Sequence, residues 1–171
     1  MPTGRSAATE FRKLQLTSLH VSLPDHTHRT IHSERPLLIV TCRGALREFV
    51  ALAQAEGERA DFALIYLEEA HPTDGWMYPA VKHFVAQHTA LPGRLRMASV
   101  LHQELVSLGE ANLPIFADGM ANRASLAFGA LPERVVLLLD GSVVFIGGKG
   151  PEDYTVAEGA EALRSALARL E

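Results

Sequence analysis

The stretch LLIVTCRGALREFVALAQAEGERADFALIYL, residues 37–67, has a short apolar run at each end and apolar residues at helical spacing between them. An uninterrupted apolar run such as residues 37–41 is typical of a strand that is buried on both faces. The pattern predicts a strand there, a helix over residues 45–58 and a second strand over residues 62–67. Because a helix connects them, the two strands should be parallel.

The segments on either side of this unit predict the other elements. Residues 14–32 alternate apolar and polar side chains on both sides of Pro24 and Asp25, which indicates a β-hairpin. Residues 91–108 carry apolar side chains on one face, which indicates an amphipathic helix. The remaining predicted elements are a strand at residues 114–118, a short helix at 122–128, antiparallel strands at 134–139 and 143–146, and a closing helix at 156–169. This order is that of an α/β thioredoxin-like fold, a central mixed sheet flanked by helices, with an N-terminal β-hairpin added.

Size and composition limit the partners of the chain. Its 171 residues, 47% of them hydrophobic, suffice for one core, so we expect a single domain over residues 14–171 and a flexible N-terminus over residues 1–13. The net charge of −4 provides no excess of cations for binding phosphates, so nucleic acid is not an expected partner. The first residues lack the apolar stretch of a signal peptide, and no apolar run is long enough to span a bilayer. We therefore expect a cytoplasmic protein without a membrane partner.

Cysteine and histidine usage bears on redox and metal chemistry. Cys42 is the only cysteine, which excludes an intramolecular disulfide and a CxxC pair. Its place after a buried strand is typical of a small hydrophobic residue, whereas Arg43 and the start of the next helix would favour a reactive thiolate. His26, His28 and His32 have the even spacing of one strand face, but a histidine-rich hairpin explains them without a metal. We predict neither a metal nor a cofactor.

Five motifs follow one another along the chain. They are LEEAHPTDGW at residues 67–76, QH at 87–88, PIFADGMAN at 114–122, FGALPER at 128–134 and DGSVVFIGGKGPE at 140–152. In this order they resemble motifs of the iodothyronine deiodinase family, thioredoxin-fold selenoenzymes that reductively remove iodine from thyroid hormones. The family motifs are EEAH-P-S/T-DGW, QH-x-L-xx-R, P-V-x-x-D-x-M-x-N, Y-G-A-x-x-E-R and D-G-K-V-x-Y-x-G-G-R-G-P-E. The resemblance extends from about residue 35 to about residue 169, and it implies the thioredoxin-like fold with a deiodinase-type insertion.

The loop that carries the family's nucleophile differs in this chain. The family follows its R-P-L strand with a segment like F-G-S-C-T-U-P-P-F, in which U is the selenocysteine that attacks iodine. Residues 35–49 read RPLLIVTCRGALREF. A comparison without a gap places the selenocysteine position at Leu46, and matching Cys42 to the family's cysteine places it at Gly44. Neither leucine nor glycine has a nucleophilic side chain, so we predict that the redox nucleophile is lost.

The resemblance also implies a set of polar site residues. The family's substrate-binding and proton-transfer residues correspond by motif to His71, His88, Glu133 and Lys149. We predict His71, Glu133 and His88 as catalytic residues. Lys149 stands where the family has arginine, so it keeps the charge but cannot make a planar two-pronged bond to a carboxylate. The other predicted substrate-binding residues are Glu69, Trp76, Tyr78 and Arg134. We expect a small-molecule substrate, and a homodimer remains an open alternative.

Structural alternatives exist for the residues of the first motif. His71 follows an apolar strand, and its imidazole suits proton transfer near neutral pH. Alternatively, it caps the loop by bonding to Asp74 or to backbone. Glu68 and Glu69 point in opposite directions along an extended chain, so at most one of them faces the site and the other is solvated or paired. For His71, the sequence alone leaves both proton transfer and capping of the loop open.

The aromatic residues and the later motifs have alternatives of the same kind. Trp76 and Tyr78 are expected to pack over the core, with a wall of an aromatic substrate pocket as the alternative. Pro132 stands before a strand, where thioredoxin-like proteins often keep a cis-proline beside the active site, and both isomers remain open. Glu133 would then point near the loop of Cys42, or else form a salt bridge with an arginine such as Arg134 or Arg43.

Three functions are compatible with these residues. The favoured one is an enzyme that has lost the redox nucleophile and uses its histidine and glutamate residues for acid-base chemistry, such as rearrangement, elimination or cyclisation. Its substrate would be small, largely apolar and would carry a phenol, enol or carboxylate. The second is a thiol reductive dehalogenase or peroxiredoxin-like oxidoreductase in which Cys42 is the nucleophile. The third is a non-catalytic protein that binds a ligand.

Overall fold

The computed structural model describes residues 20–22, 28–30, 33–41, 45–77 and 84–171. Within these ranges the chain forms one sheet of seven strands and four helices. The strands are β1 (His20–Ser22), β2 (His28–Thr30), β3 (Leu37–Thr41), β4 (Asp61–Tyr66), β5 (Ile115–Ala117), β6 (Arg134–Leu139) and β7 (Ser142–Ile146). The helices are α1 (Leu46–Glu56), α2 (Leu91–Ser107), α3 (Arg123–Phe128) and α4 (Val156–Leu167).

The strands lie side by side in the order β2-β1-β5-β4-β3-β6-β7. The three central strands β3, β4 and β5 are parallel, and the pairs at both edges are antiparallel. The parallel pairing of β3 and β4 confirms the predicted β-α-β unit, and the pairing of β6 and β7 confirms the second hairpin. The N-terminal hairpin is confirmed for β1 and β2, and its turn lies outside the described residues.

The core lies on both faces of the sheet, because successive strand residues point to opposite sides. On one face, residues such as Leu38 and Leu64 pack against α1, α2 and α4. On the other face, residues such as Ile39 and Ile65 pack against α3. Full burial of each such side chain contributes about 1.5–3 kcal/mol to folding. These uninterrupted apolar strands are therefore explained by helices on both sides of the sheet.

The helices follow the predicted patterns, with ends that differ by at most two residues. The buried face of α1 includes Phe49 and Val50. Helix α2 has Pro92 in its first turn, where no intrahelical N–H donor is needed, and it ends before Gly109, whose φ of 85° suits glycine. Along the described ranges, we find no helix with the length and apolar character needed to cross a membrane. The domain limits, residues 14–171, stay a prediction.

The register of the sheet brings several chain segments to one edge. Thr41 at the end of β3 pairs with Ile65 of β4 on one side and with Arg134, the first residue of β6, on the other. Tyr66 pairs with Ala117 at the end of β5. The last residues of β3, β4 and β5 and the first residue of β6 therefore lie at the same end of the sheet, which we call the site edge.

Candidate active site

A buried set of three polar side chains lies where β4 reaches the site edge. Tyr66 is the last residue of β4 and is 4% exposed. Its hydroxyl donates a hydrogen bond to Oε1 of Glu69 and lies 2.8 Å from Nε2 of His88. The side chains of His88 and Glu69 are 6% and 15% exposed, and Nε2 lies 3.9 Å from Oε1. We call Tyr66, Glu69 and His88 the buried triad.

The hydrogen bonds of the buried triad have a direction. A phenol has one proton to donate, and Tyr66 gives it to Glu69. The phenol oxygen must then accept from His88, so Nε2 of His88 carries a proton. The imidazole, the phenol and the carboxylate are thus joined in one line of hydrogen bonds. Because the groups are shielded from water, the hydrogen bonds between them are stronger than they would be in solvent.

Neighbouring residues fix the triad in place. The side-chain amide of Gln87 receives a hydrogen bond of 3.1 Å from the backbone N–H of Glu69 and donates one of 2.9 Å to its carbonyl. The backbone N–H of Gln87 in turn donates to Asp74 over 2.8 Å. On the far side of the imidazole, a Cβ added at Gly93 would lie 2.9 Å from Nδ1 of His88. The ring of His88 is therefore confined between the phenol of Tyr66 and the backbone of α2.

Glu68 points away from the buried triad. Its Oε2 accepts a hydrogen bond of 3.0 Å from the side chain of Asn122. The prediction that at most one of Glu68 and Glu69 faces the site is confirmed for the triad, and Glu69 is the residue that does so.

His71 lies apart from these contacts, in the loop after β4. Its ring packs edge to face against Trp76, with the ring centres 4.7 Å apart, and its Nδ1 lies 3.3 Å from the carbonyl oxygen of Trp76. This backbone contact is the loop-capping alternative. Trp76 is 75% exposed, so the expectation that it packs over the core is wrong. Its indole and the half-buried imidazole form an aromatic surface at the site edge.

Glu133 and Lys149 approach the site edge from the other side of β3. A Cβ added at Gly150 would lie 2.5 Å from Oε1 of Glu133, so the carboxylate packs on the glycine that follows Lys149. Lys149 itself is exposed. The peptide bond between Leu131 and Pro132 is cis, which is the isomer typical of thioredoxin-like proteins at this position. Two strand spacings separate β6 from β4, so the backbones of Glu133 and Tyr66 are roughly 10 Å apart across the sheet.

Arg134 makes contacts with backbone. Its Nη1 donates to the carbonyl of Phe128 over 3.1 Å, which caps the end of α3, and its own N–H donates to Oγ1 of Thr41 over 2.8 Å. The guanidinium of Arg134 thus contacts a backbone carbonyl, and Arg43, the other arginine considered as a partner of Glu133, lies outside the described residues. A role for Arg134 in substrate binding stays a prediction.

Two predicted site residues, Cys42 and Tyr78, lie outside the described residues, as do Gly44 and the side chains of the histidine-rich hairpin. Leu46, one of the two positions matched to the family's selenocysteine, is the first residue of α1, and its side chain is buried in the core. Among the described side chains, no group of three or more histidine, aspartate or glutamate residues could hold a metal ion.

A groove of about 490 Å³ opens at the opposite end of the sheet, near the starts of β3, β4 and β5. Its polar lining includes Arg35 and Asp61, which form an ion pair with each other. Arg35 also donates to the carbonyls of Gly57 and Glu58, at 3.2 and 3.0 Å, so its hydrogen-bonding capacity is used within the fold. This groove contains none of the predicted site residues.

Comparison with known proteins agrees with the fold and the motifs. A thioredoxin-like α/β protein is the class that the sheet order and the site edge define, and solved structures support it. A secreted disulfide oxidoreductase of Mycobacterium tuberculosis matches 91% of this chain and 97% of its own chain, with a TM-score of 0.52 and 9% identity. A peroxiredoxin-like protein from Aquifex aeolicus matches 85% of this chain and 81% of its own, with a TM-score of 0.52 and 13% identity. At such low identity these likenesses show the fold alone.

Sequence comparison assigns the family. The profile described as iodothyronine deiodinase matches residues 23–170, so the chain belongs to the iodothyronine deiodinase family. Thyroxine 5-deiodinase of Aquarana catesbeiana is 40% identical over 113 residues, which are 66% of this chain and 40% of that protein. The enzyme of the same name from Gallus gallus is 38% identical over 113 residues, 42% of its length. The chain thus spans about two fifths of the length of these relatives.

Sequence reasoning predicted two members of the buried triad and missed the third. Glu69 and His88 were identified from the motifs, whereas Tyr66 was read only as the end of a strand. A signal was present, since a hydroxyl at the end of an apolar strand needs a partner when it is buried. Tyr66 and Glu69 are three residues apart, but their contact depends on the turn after β4, which the spacing alone does not specify.

Proposed function

We propose that this chain is an enzyme that transfers protons on a small, largely apolar molecule carrying a phenol, enol or carboxylate, and that it does not remove iodine reductively. The buried triad carries the proposal, since Tyr66 lies in hydrogen-bond contact with both Glu69 and His88. Acid-base catalysis requires such groups to be held in position before the substrate arrives.

The absence of a nucleophile at the family position supports the same proposal. The sequence contains no selenocysteine, and its single cysteine is Cys42. In the comparison without a gap, the family position is occupied by Leu46, the first residue of α1, whose side chain packs in the core, and in the other comparison it is occupied by Gly44. An aliphatic side chain in that place offers no lone pair for attack on iodine. We therefore infer that the chain has acid-base residues that match the family's and lacks the family's redox centre.

The residues divide into proposed roles. Glu69 takes the phenol proton of Tyr66 as the phenol oxygen takes a proton from the substrate, and His88 holds that oxygen by a hydrogen bond. His71 exchanges a proton with the substrate at the rim, where Trp76 offers an aromatic wall. Glu133 acts as a second acid or base, and Lys149 holds an anionic group of the substrate.

A proton-exchange assay tests this function. The probe is para-hydroxyphenylpyruvate in deuterated water, because it carries a phenol, an enolisable ketone and a carboxylate. We expect the protein to accelerate exchange of the carbon-bound protons, measured by proton NMR. Tyr66→Phe, His71→Gln and Glu133→Gln should each slow the exchange, by on the order of a hundredfold for a group that transfers the proton. Wild-type rates in all three variants would reject the proposal.

A parallel assay separates the redox alternative. Thyroxine and diiodotyrosine are incubated with the protein and excess dithiothreitol, and released iodide is measured. We expect no release above that of a Cys42→Ser variant. Iodide release that disappears in Cys42→Ser would instead establish the thiol-dependent function. Binding of the probe without exchange or iodide release would indicate a non-catalytic ligand-binding protein.

A further inference from the structure

A second polar network lies beside the buried triad. Arg94 of α2 is 2% exposed, and its guanidinium donates to the carbonyls of Asp118 and Gly119 at the end of β5, over 3.2 and 2.7 Å. Its Nη2 also donates to Oδ1 of Asn122 over 2.6 Å, and Nδ2 of Asn122 donates to Oε2 of Glu68 over 3.0 Å. A buried guanidinium is thus connected to a carboxylate through one neutral amide.

The chemistry of the two ends fixes the orientation of this amide. A guanidinium only donates hydrogen bonds, and an ionised carboxylate only accepts them. The side chain of Asn122 must therefore turn its oxygen to Arg94 and its nitrogen to Glu68. Asn122 also has a φ of 52°, in the left-handed region that asparagine tolerates better than most residues with a side chain. This position thus combines two requirements that few residue types satisfy together.

The network carries a cost for stability. Nε of Arg94 is buried without a hydrogen-bond partner among the described residues. A buried donor left in this way costs about 1–3 kcal/mol, and an apolar side chain of similar size would avoid that cost. A buried charge that carries such a cost calls for an explanation beyond packing.

We propose that Arg94, Asn122 and Glu68 form a positioning chain for the buried triad. Glu68 immediately precedes Glu69, so holding Glu68 against Asn122 orients the next side chain toward Tyr66. Arg94 lies six residues after His88, on the helix against whose first turn the imidazole packs. The positioning chain therefore holds the carboxylate of Glu69 and the imidazole of His88 at the distance that the phenol of Tyr66 bridges. None of its three residues is assigned to contact the substrate.

The expected effect of the positioning chain on the rate rests on the proposed function. Its effect on the hydrogen bond between His88 and Tyr66 can be tested without substrate. The imidazole nitrogen chemical shifts of His88, assigned by their loss in His88→Gln, report whether Nε2 is hydrogen-bonded to Tyr66. We compare Glu68→Ala and Asn122→Gly, which break the chain, with Glu68→Gln, which keeps an acceptor for Asn122. Glycine at position 122 permits the left-handed backbone, so only the side-chain bridge is removed.

A matched control variant lowers the stability of the fold without changing any residue of the positioning chain. Thr155 caps α4 by accepting a hydrogen bond of 3.1 Å from the N–H of Ala157. Thr155→Ala should lower the melting temperature through loss of this cap. We expect the His88 shifts to move in Glu68→Ala and Asn122→Gly but to stay as in the wild type in Thr155→Ala and Glu68→Gln.

Kinetics give the second readout. With para-hydroxyphenylpyruvate, Glu68→Ala and Asn122→Gly should lower kcat by on the order of tenfold to a hundredfold with little change in KM, and Glu68→Gln should restore most of the rate. His88 shifts in Glu68→Ala and Asn122→Gly that match those of Thr155→Ala would overturn the positioning chain, whatever the rates. If the wild type shows no exchange, the proposed function fails, while the His88 shifts still decide whether the chain positions the triad.

Discussion

Replacement of Gly93 by alanine has two opposite effects: it raises the helix propensity of α2, and it displaces the imidazole of His88. Alanine is favoured over glycine within a helix by about 1 kcal/mol, which would stabilise α2. The new Cβ, however, would lie 2.9 Å from Nδ1 of His88. Normal contact requires about 3.5 Å, so the ring must move by roughly 0.6 Å. Motion of that size away from α2 would press Nε2 against the hydroxyl of Tyr66, which already lies 2.8 Å away, so the ring must tilt and its hydrogen bond to Tyr66 is lost.

The two effects nearly cancel in the wild-type background. Loss of one hydrogen bond costs about 1 kcal/mol, so we expect Gly93→Ala to change the melting temperature by no more than about 3 °C. In a His88→Ala background no ring opposes the methyl group. There we expect Gly93→Ala to raise the melting temperature by about 2–4 °C. The difference between the two backgrounds is a coupling energy of about 1 kcal/mol.

Thermal unfolding followed by circular dichroism gives the melting temperatures of the wild type, Gly93→Ala, His88→Ala and the double variant. The rate of proton exchange with para-hydroxyphenylpyruvate measures their activity. We expect Gly93→Ala to lose most of its exchange rate while keeping its stability. An equal change in melting temperature in both backgrounds, together with an unchanged exchange rate, would show that His88 is not confined as the structure indicates.

Two further predictions concern stability. Gly159→Ala should lower the melting temperature by about 2–6 °C, since the added Cβ would overlap Cγ1 of Val135 and lie 3.3 Å from its Cβ, and overpacking of about 1–3 kcal/mol outweighs the helix gain. A higher melting temperature, or no relief on adding Val135→Ala, would contradict this close packing of α4 on β6. Tyr66→Phe should lower the melting temperature by roughly 5 °C, because Glu69 and His88 lose a buried partner. A value equal to that of the wild type would mean that the phenol hydroxyl contributes nothing to the triad.

The fold could be predicted from patterns that are local in the chain. The uninterrupted run at residues 37–41 and the helical spacing after it specify the β-α-β unit, because only burial on both faces suits such a strand. Asp140 and Gly141 indicated the turn between β6 and β7, and both adopt positive φ values there. The ends of the helices were less certain, because capping depends on contacts outside the periodic segment.

The candidate site could be predicted only in part, because its contacts join distant segments. The motifs identified Glu69 and His88, but the resemblance did not say that Tyr66 lies between them. Trp76 was expected in the core because aromatic residues usually bury a large area, yet it packs on His71 at the surface. Arg94 gave no polar signal within an amphipathic helix, and its burial follows from the carbonyls at the end of β5.

The central claim is that proton transfer depends on the buried triad and not on a thiol. Proton-exchange rates of Glu69→Gln and Cys42→Ser, measured side by side with para-hydroxyphenylpyruvate, test it most directly. The account predicts that Glu69→Gln loses on the order of a hundredfold in rate and that Cys42→Ser retains the wild-type rate. A full rate in Glu69→Gln together with an inactive Cys42→Ser would contradict it.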